Sequence, residues 1–82
     1  MKVRGAEVAL ATGTTKFTDT GAVWVFNTGS AQLVTIRNEA DDADVGTIRI
    51  AAGAGMVIHL TPGEGLRGAT TLKGTPIVAA GF

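Results

Sequence analysis

Twelve glycines, at positions 5, 13, 21, 29, 46, 53, 55, 63, 65, 68, 74 and 81, punctuate this 82-residue chain so closely that a helix of ten or more residues has almost nowhere to fit. Glycine inside a helix costs about 1 kcal/mol relative to alanine. The residues between the glycines are rich in threonine, valine and alanine and poor in glutamate, lysine and leucine, a mixture that suits strands. Short strands joined by tight turns are therefore the expected structure.

The clearest strand is Val23-Trp24-Val25-Phe26, closed by the turn-forming run Asn27-Thr28-Gly29-Ser30. From Ala31 to Arg37, Val34 and Ile36 point one way and Leu33, Thr35 and Arg37 the other. These two runs read as an antiparallel hairpin. Asn38 to Asp44 forms a polar loop. Gly46 to Ile50 resumes the alternation with Ile48 and Ile50 inward. After a turn of small residues, Met56, Ile58 and Leu60 share one face of a strand, with Val57 and His59 on the other. Pro62-Gly63 marks a turn. Glu64–Gly68 and Thr70–Lys73 read as short strands that bury Leu66 and Leu72, and Thr75-Pro76 opens a last strand, Ile77–Ala80. The signal is weaker before residue 22, where Glu7–Ala11 and Phe17-Thr18 are the candidates. Turns spaced 8–12 residues apart are those of sandwiches and barrels. The expected fold is all-β: a small antiparallel sandwich, jelly-roll-like, of about eight short strands, with a small barrel as the alternative. The composition is even, with neither repeat nor linker, so residues 1–82 form one domain.

A domain this short buries only roughly 60% of the surface that its unfolded chain exposes, and small domains commonly gain stability from disulfides, metals or oligomerisation. There is no cysteine and one histidine, His59. Disulfides and cysteine-ligated metals are thereby excluded. What remains is oligomerisation or close packing. Seven basic residues balance seven acidic ones, and the basic ones are scattered, unlike the clustered charge of a nucleic-acid binder. The opening Met-Lys-Val-Arg-Gly leads into no apolar run of signal-peptide length, and no stretch approaches a membrane-spanning helix. The expected setting is the cytoplasm, or a particle built there.

Four groups of residues invite a chemical reading. Glu39, Asp41, Asp42 and Asp44 offer carboxylates to a cation, but the spacing of a calcium loop is missing, so a solvated hairpin loop is expected. His59 lies mid-strand on the face opposite Ile58 and Leu60, with no nucleophile context around it. Gly53-Ala54-Gly55 and Gly63-Glu64-Gly65 precede no helical pattern and read as turns rather than phosphate loops. No metal or other cofactor is expected, and the chain does not read as an enzyme.

The remaining signal concerns surfaces. Trp24 and Phe26 share one face of their strand while Val23 and Val25 take the other, and Val57 backs the inward trio of its own strand. A strand apolar on both faces is covered on both. A two-layer sandwich covers only one, so a second protein chain is expected on the other. The residues assigned to that interface are Val23, Trp24, Val25, Val57, His59 and Phe82. In the opposing reading Trp24 fills the core and the valines are ordinary surface. The apolar C-terminal run Ile77–Phe82 must be tied into a sheet, its own or a neighbour's.

The run from Val23 to Asn38, then Gly46-Thr-Ile-Arg-Ile-Ala-Ala-Gly, then Met56-Val-Ile-His-Leu-Thr-Pro-Gly-Glu-Gly-Leu-Arg-Gly, resembles the small virion proteins of tailed bacteriophages. The likeness covers residues 22–80 and is carried by strand-and-turn patterns. It implies a capsid decoration (cement) protein or another small head or tail accessory protein, β-structured, commonly trimeric, seated on the major capsid protein and carried in the virion. Neither nucleic acid nor a membrane is an expected partner. The basic segment Lys2–Arg4, within residues 1–6, then reads as an arm onto a neighbouring chain. The alternative from another class is a receptor- or carbohydrate-binding module of a phage fibre, spike or tail, which would need exposed aromatic side chains.

Overall fold

The computed structural model describes residues 2–17 and 21–78. They contain nine strands: β1 (Lys2–Val3), β2 (Val8–Ala9), β3 (Thr15–Lys16), β4 (Ala22–Asn27), β5 (Gln32–Arg37), β6 (Asp44–Ile50), β7 (Gly55–His59), β8 (Gly65–Arg67) and β9 (Leu72–Val78). No described residue is helical, so no helix here is long and apolar enough to cross a membrane.

Every strand pair is antiparallel, and the pairs are nested. β5 pairs β6, β4 pairs β7, β3 pairs β8, and both β1 and β2 pair β9. The chain is thus one long hairpin folded over on itself. Further pairing of β4 with β9 and of β5 with β8 divides it into two open sheets. One runs β1/β2-β9-β4-β7 and the other β3-β8-β5-β6. Since β1 and β2 lie end to end along β9, eight strand positions result, in jelly-roll order. Neither sheet closes into a barrel. The shortest dimension, 18 Å, is that of two sheets about 10 Å apart with their side chains.

Period-two alternation in the sequence becomes the two faces of each sheet. Val23 and Val25 of β4, Ile58 of β7 and Leu72 of β9 meet Val34 of β5, Ile50 of β6 and Leu66 of β8, with Leu10 added from the stretch after β2. Phe17 packs against this cluster as well. A Cβ on Gly74 would come within 2.9 Å of the Phe17 ring, so glycine there makes room for it.

The pairing departs from the sequence reading in three places. β4 and β5 are not a hairpin: they lie in different sheets, and the chain crosses between them at a corner centred on Asn27. That side chain is wholly buried. Its Nδ2 donates to the carbonyls of Ser30 (2.7 Å) and Ile50 (3.0 Å), and its Oδ1 accepts the Gly29 N–H (3.0 Å). Secondly, β9 runs unbroken through Pro76. The Pro76 carbonyl accepts the Arg4 N–H (2.8 Å), so the missing proline donor also faces the interrupted β1/β2 edge rather than β4, and no bond to the central strand is lost. Thirdly, Lys2 and Val3 pair with Val78 and Ile77 of their own chain, so this segment is sewn into the domain rather than extended as an arm.

Candidate assembly surface

Strand β4 decides which side of its sheet is available to a partner. Val23 and Val25 are 0% exposed and belong to the core. Their assignment to an interface is therefore corrected: it is the valines that face β5 and β6, and the aromatic residues that face outward. Trp24 and Phe26 are half-buried on the outer face. β4 is a central strand, so its inner face is closed by the opposing sheet whatever covers its outer one.

The register assembles the outer face around Trp24. Across β4 and its neighbours, Trp24 lies level with Val57 of β7 and Thr75 of β9, while Phe26 lies level with Gly55 and Lys73. A Cβ on Gly55 would sit 2.5 Å from the Trp24 ring and 3.1 Å from Phe26. The indole therefore lies down over bare backbone beside an edge strand, a recurrent way of covering a strand glycine with an aromatic ring. Val57 is 37% exposed and His59 is exposed. Of the six residues assigned to the interface, Trp24, Val57 and His59 come together on this face. Phe82 lies outside the described residues.

Backbone directions add to the picture. Asn27 donates its N–H to the Ala54 carbonyl and accepts that of Gly53, both at 2.9 Å, so its main-chain groups point to the β7 side. Alternation then turns those of Val25 and Val23 toward β7 as well. Their register partners Met56 and Ile58 point back toward β4, which leaves the N–H and C=O groups of Val57 and His59 aimed at the free edge. A half-apolar shelf thus ends on a strand whose outer ladder has no partner among the described residues.

The opposite outer face is polar and centres on Asp41, a residue not singled out individually by the sequence. The loop 38–44 is more than solvated. Asp41 Oδ1 accepts from Thr14 Oγ1 (2.6 Å), Arg37 Nε (2.9 Å) and Arg67 Nη2 (3.3 Å), and Arg37 Nη1 donates to Asp44 (2.6 Å). A bulge between Ile36 and Arg37 brings Asp44 level with Arg37. Asp41 has a positive φ of 57°, which aspartate tolerates better than most residues. The hydrogen bond from Thr14, then that from Arg37, lowers the Asp41 carboxyl below its ordinary 3.8. Bonds from Asp44 and Asp41 raise the Arg37 guanidinium. Among the described residues no three acidic or histidine side chains gather as metal ligands. Asp41 and Asp44 are turned to guanidinium groups, and Asp42 accepts from the Asn38 amide (2.7 Å).

A group with a depressed folded pKa contributes stability above its unfolded value and loses it as pH falls through the folded one. The Asp41 network is therefore intact at pH 5–7 and fails progressively below about pH 4. Asp41→Asn, which keeps a side chain tolerant of positive φ, is expected to flatten that acid limb. Thermal melts from pH 6 down to pH 2 would show it, and an unchanged pH dependence in the variant would remove Asp41 as its source.

A recess of about 390 Å³ sets Arg4 and Lys16 over Val8 and Phe17 between β1/β2 and β3, and its described lining holds no acid–base pair. Lys16 Nζ is already bonded to the Glu39 carbonyl (2.8 Å). The chain matches no family model, no curated protein and no solved structure.

Proposed function

We propose that this chain is a non-enzymatic assembly protein, a decoration (cement) protein that stabilises the head of a tailed bacteriophage by binding the major capsid protein and its own copies. The observation that carries the reading is the outward shelf of Trp24, Phe26 and Val57 running into the unpaired edge of β7. Such a surface serves to bind another chain. A formal net charge of zero, which promotes association in a free protein, suits a protein that ends its life in a lattice. The strand-and-turn likeness to small virion proteins supplies the setting.

The test is co-sedimentation of the purified chain with heads assembled from the major capsid protein of the same phage. Saturable binding and a raised melting temperature of the heads are expected, both weakened by Trp24→Ala. Heads that neither bind the chain nor gain stability would overturn the reading. The outward placement of Trp24 also favours, as a second reading, a sugar-stacking platform on a fibre or spike. Glycan binding that quenches Trp24 fluorescence, with no affinity for heads, would select it.

A further inference from the structure

The two sides of the sandwich are finished differently. On one side the edges are blunted: β1 and β2 are interrupted and carry Lys2, Arg4 and Glu7 in and around them, and β3 is two residues long and ends on Lys16. Charges, breaks and short strands are the usual protections of an edge against pairing. On the other side β6 and β7, joined by residues 51–54, place two longer free edges together. The β7 edge, Gly55-Met56-Val57-Ile58-His59, carries no aspartate, glutamate, lysine or arginine, no proline and no bulge.

From this we infer that β7 is the surface on which a second copy of the chain docks, by antiparallel pairing of β7 with β7 about a two-fold axis through Val57. The edge is self-complementary in its main chain. Val57 aims its N–H and C=O outward, so the Val57 residues of two copies exchange a pair of hydrogen bonds on the axis. His59, with the same direction, falls opposite Gly55 of the second copy. The side chains fit that register too. Gly55 is bare except for the Trp24 indole lying over it, so His59 of each copy settles beside the other copy's Trp24 while the two Val57 side chains meet between them. In the sheet beneath, the two-fold turns the Asp44 end of one β6 toward the Arg49 end of the other, a complementary arrangement. The two upper sheets join into one continuous sheet, and the uncharged β7 edge is the one removed.

The inference rests on the assembly reading and deepens it by naming where copies meet. Light scattering after size exclusion, at two protein concentrations, is the first measurement. The wild type is expected at twice the chain mass of 8.3 kDa. Val57→Lys, which puts a charge on the axis, is expected at the single mass with an unchanged circular dichroism spectrum, and Val57→Thr at the double mass. Amide exchange provides a check without mutation: the Val57 and His59 amides are protected in concentrated protein and lose protection on dilution. A monomer at both concentrations, a trimer, or a dimer that survives Val57→Lys would overturn the pairing. The two readings fail separately, since a wild-type dimer indifferent to heads removes only the decoration role, and a monomer that binds heads removes only the β7 pairing.

Discussion

Replacing Asn27 by leucine is expected to lower the stability of the domain by about 3 kcal/mol, because each buried polar group left without a partner costs about 1–3 kcal/mol. The substitution keeps the volume of a wholly buried side chain and strips away three hydrogen bonds. The carbonyls of Ser30 and Ile50 lose a donor and the Gly29 N–H an acceptor, at the corner where the chain leaves one sheet for the other. For a domain of this size the loss corresponds to roughly 12–24 °C in Tm, at about 4–8 °C per kcal/mol. Asn27→Asp keeps the acceptor for Gly29 but loses both donors and buries a carboxylate. Its defect should therefore shrink as the new carboxyl protonates in mild acid. Urea unfolding of the two variants measures both effects. A leucine variant within 1 kcal/mol of the wild type would show that the corner is held by backbone bonds alone.

A larger effect is expected at Val25. Val25→Asp places a charge with no partner at a fully buried position in the middle of a central strand, and that variant is not expected to fold. Leu33→Asp is the matched control. Leucine is the more hydrophobic residue, yet Leu33 is 45% exposed on the outer face of the other sheet, and its replacement should cost no more than about 0.5 kcal/mol, as surface changes commonly do. Circular dichroism and thermal melts of the pair give the answer directly. A folded Val25→Asp variant with an ordinary melting temperature would mean that β4 presents its other face to the core.

The control matters because hydrophobicity ranks these two positions the wrong way round. Val25 is flanked by Trp24 and Phe26 and Leu33 by Val34, and in β4 both faces are apolar in the sequence. The physical difference is the opposing sheet. Val23 and Val25 are small and branched and pack closely against Val34 and Ile50, whereas the Trp24 indole is accommodated where Gly55 leaves bare backbone on the outside. A large ring inward at position 24 would meet a core already filled by Leu10, Phe17 and Leu72. Close packing leaves no void for it.

Much of the fold was legible in the residues themselves. Frequent glycines exclude long helices, and the alternation of Val34 with Ile36, Ile48 with Ile50, and Met56 with Ile58 and Leu60 assigns the inner faces of β5, β6 and β7, because a strand's side-chain period is local and equal to two. Pro62-Gly63 marks its turn for an equally local reason: Gly63 has a φ of +88°, which glycine adopts freely. Those features survive unchanged in the structure. What only the tertiary structure decided was long-range. The face that β4 turns inward depends on the sheet opposite it, and the partners of β4 are β7 and β9 rather than its neighbour in sequence. Proline could stay inside β9 because the strand beside it is broken where its donor would point. Asp41 acquired its role through Thr14 and Arg67, 27 and 26 residues away, which no spacing rule connects. Local periodicity prescribes which residues alternate, while nested pairing between distant segments chooses the side that meets the core, the edge left open and hence the surface available to a partner.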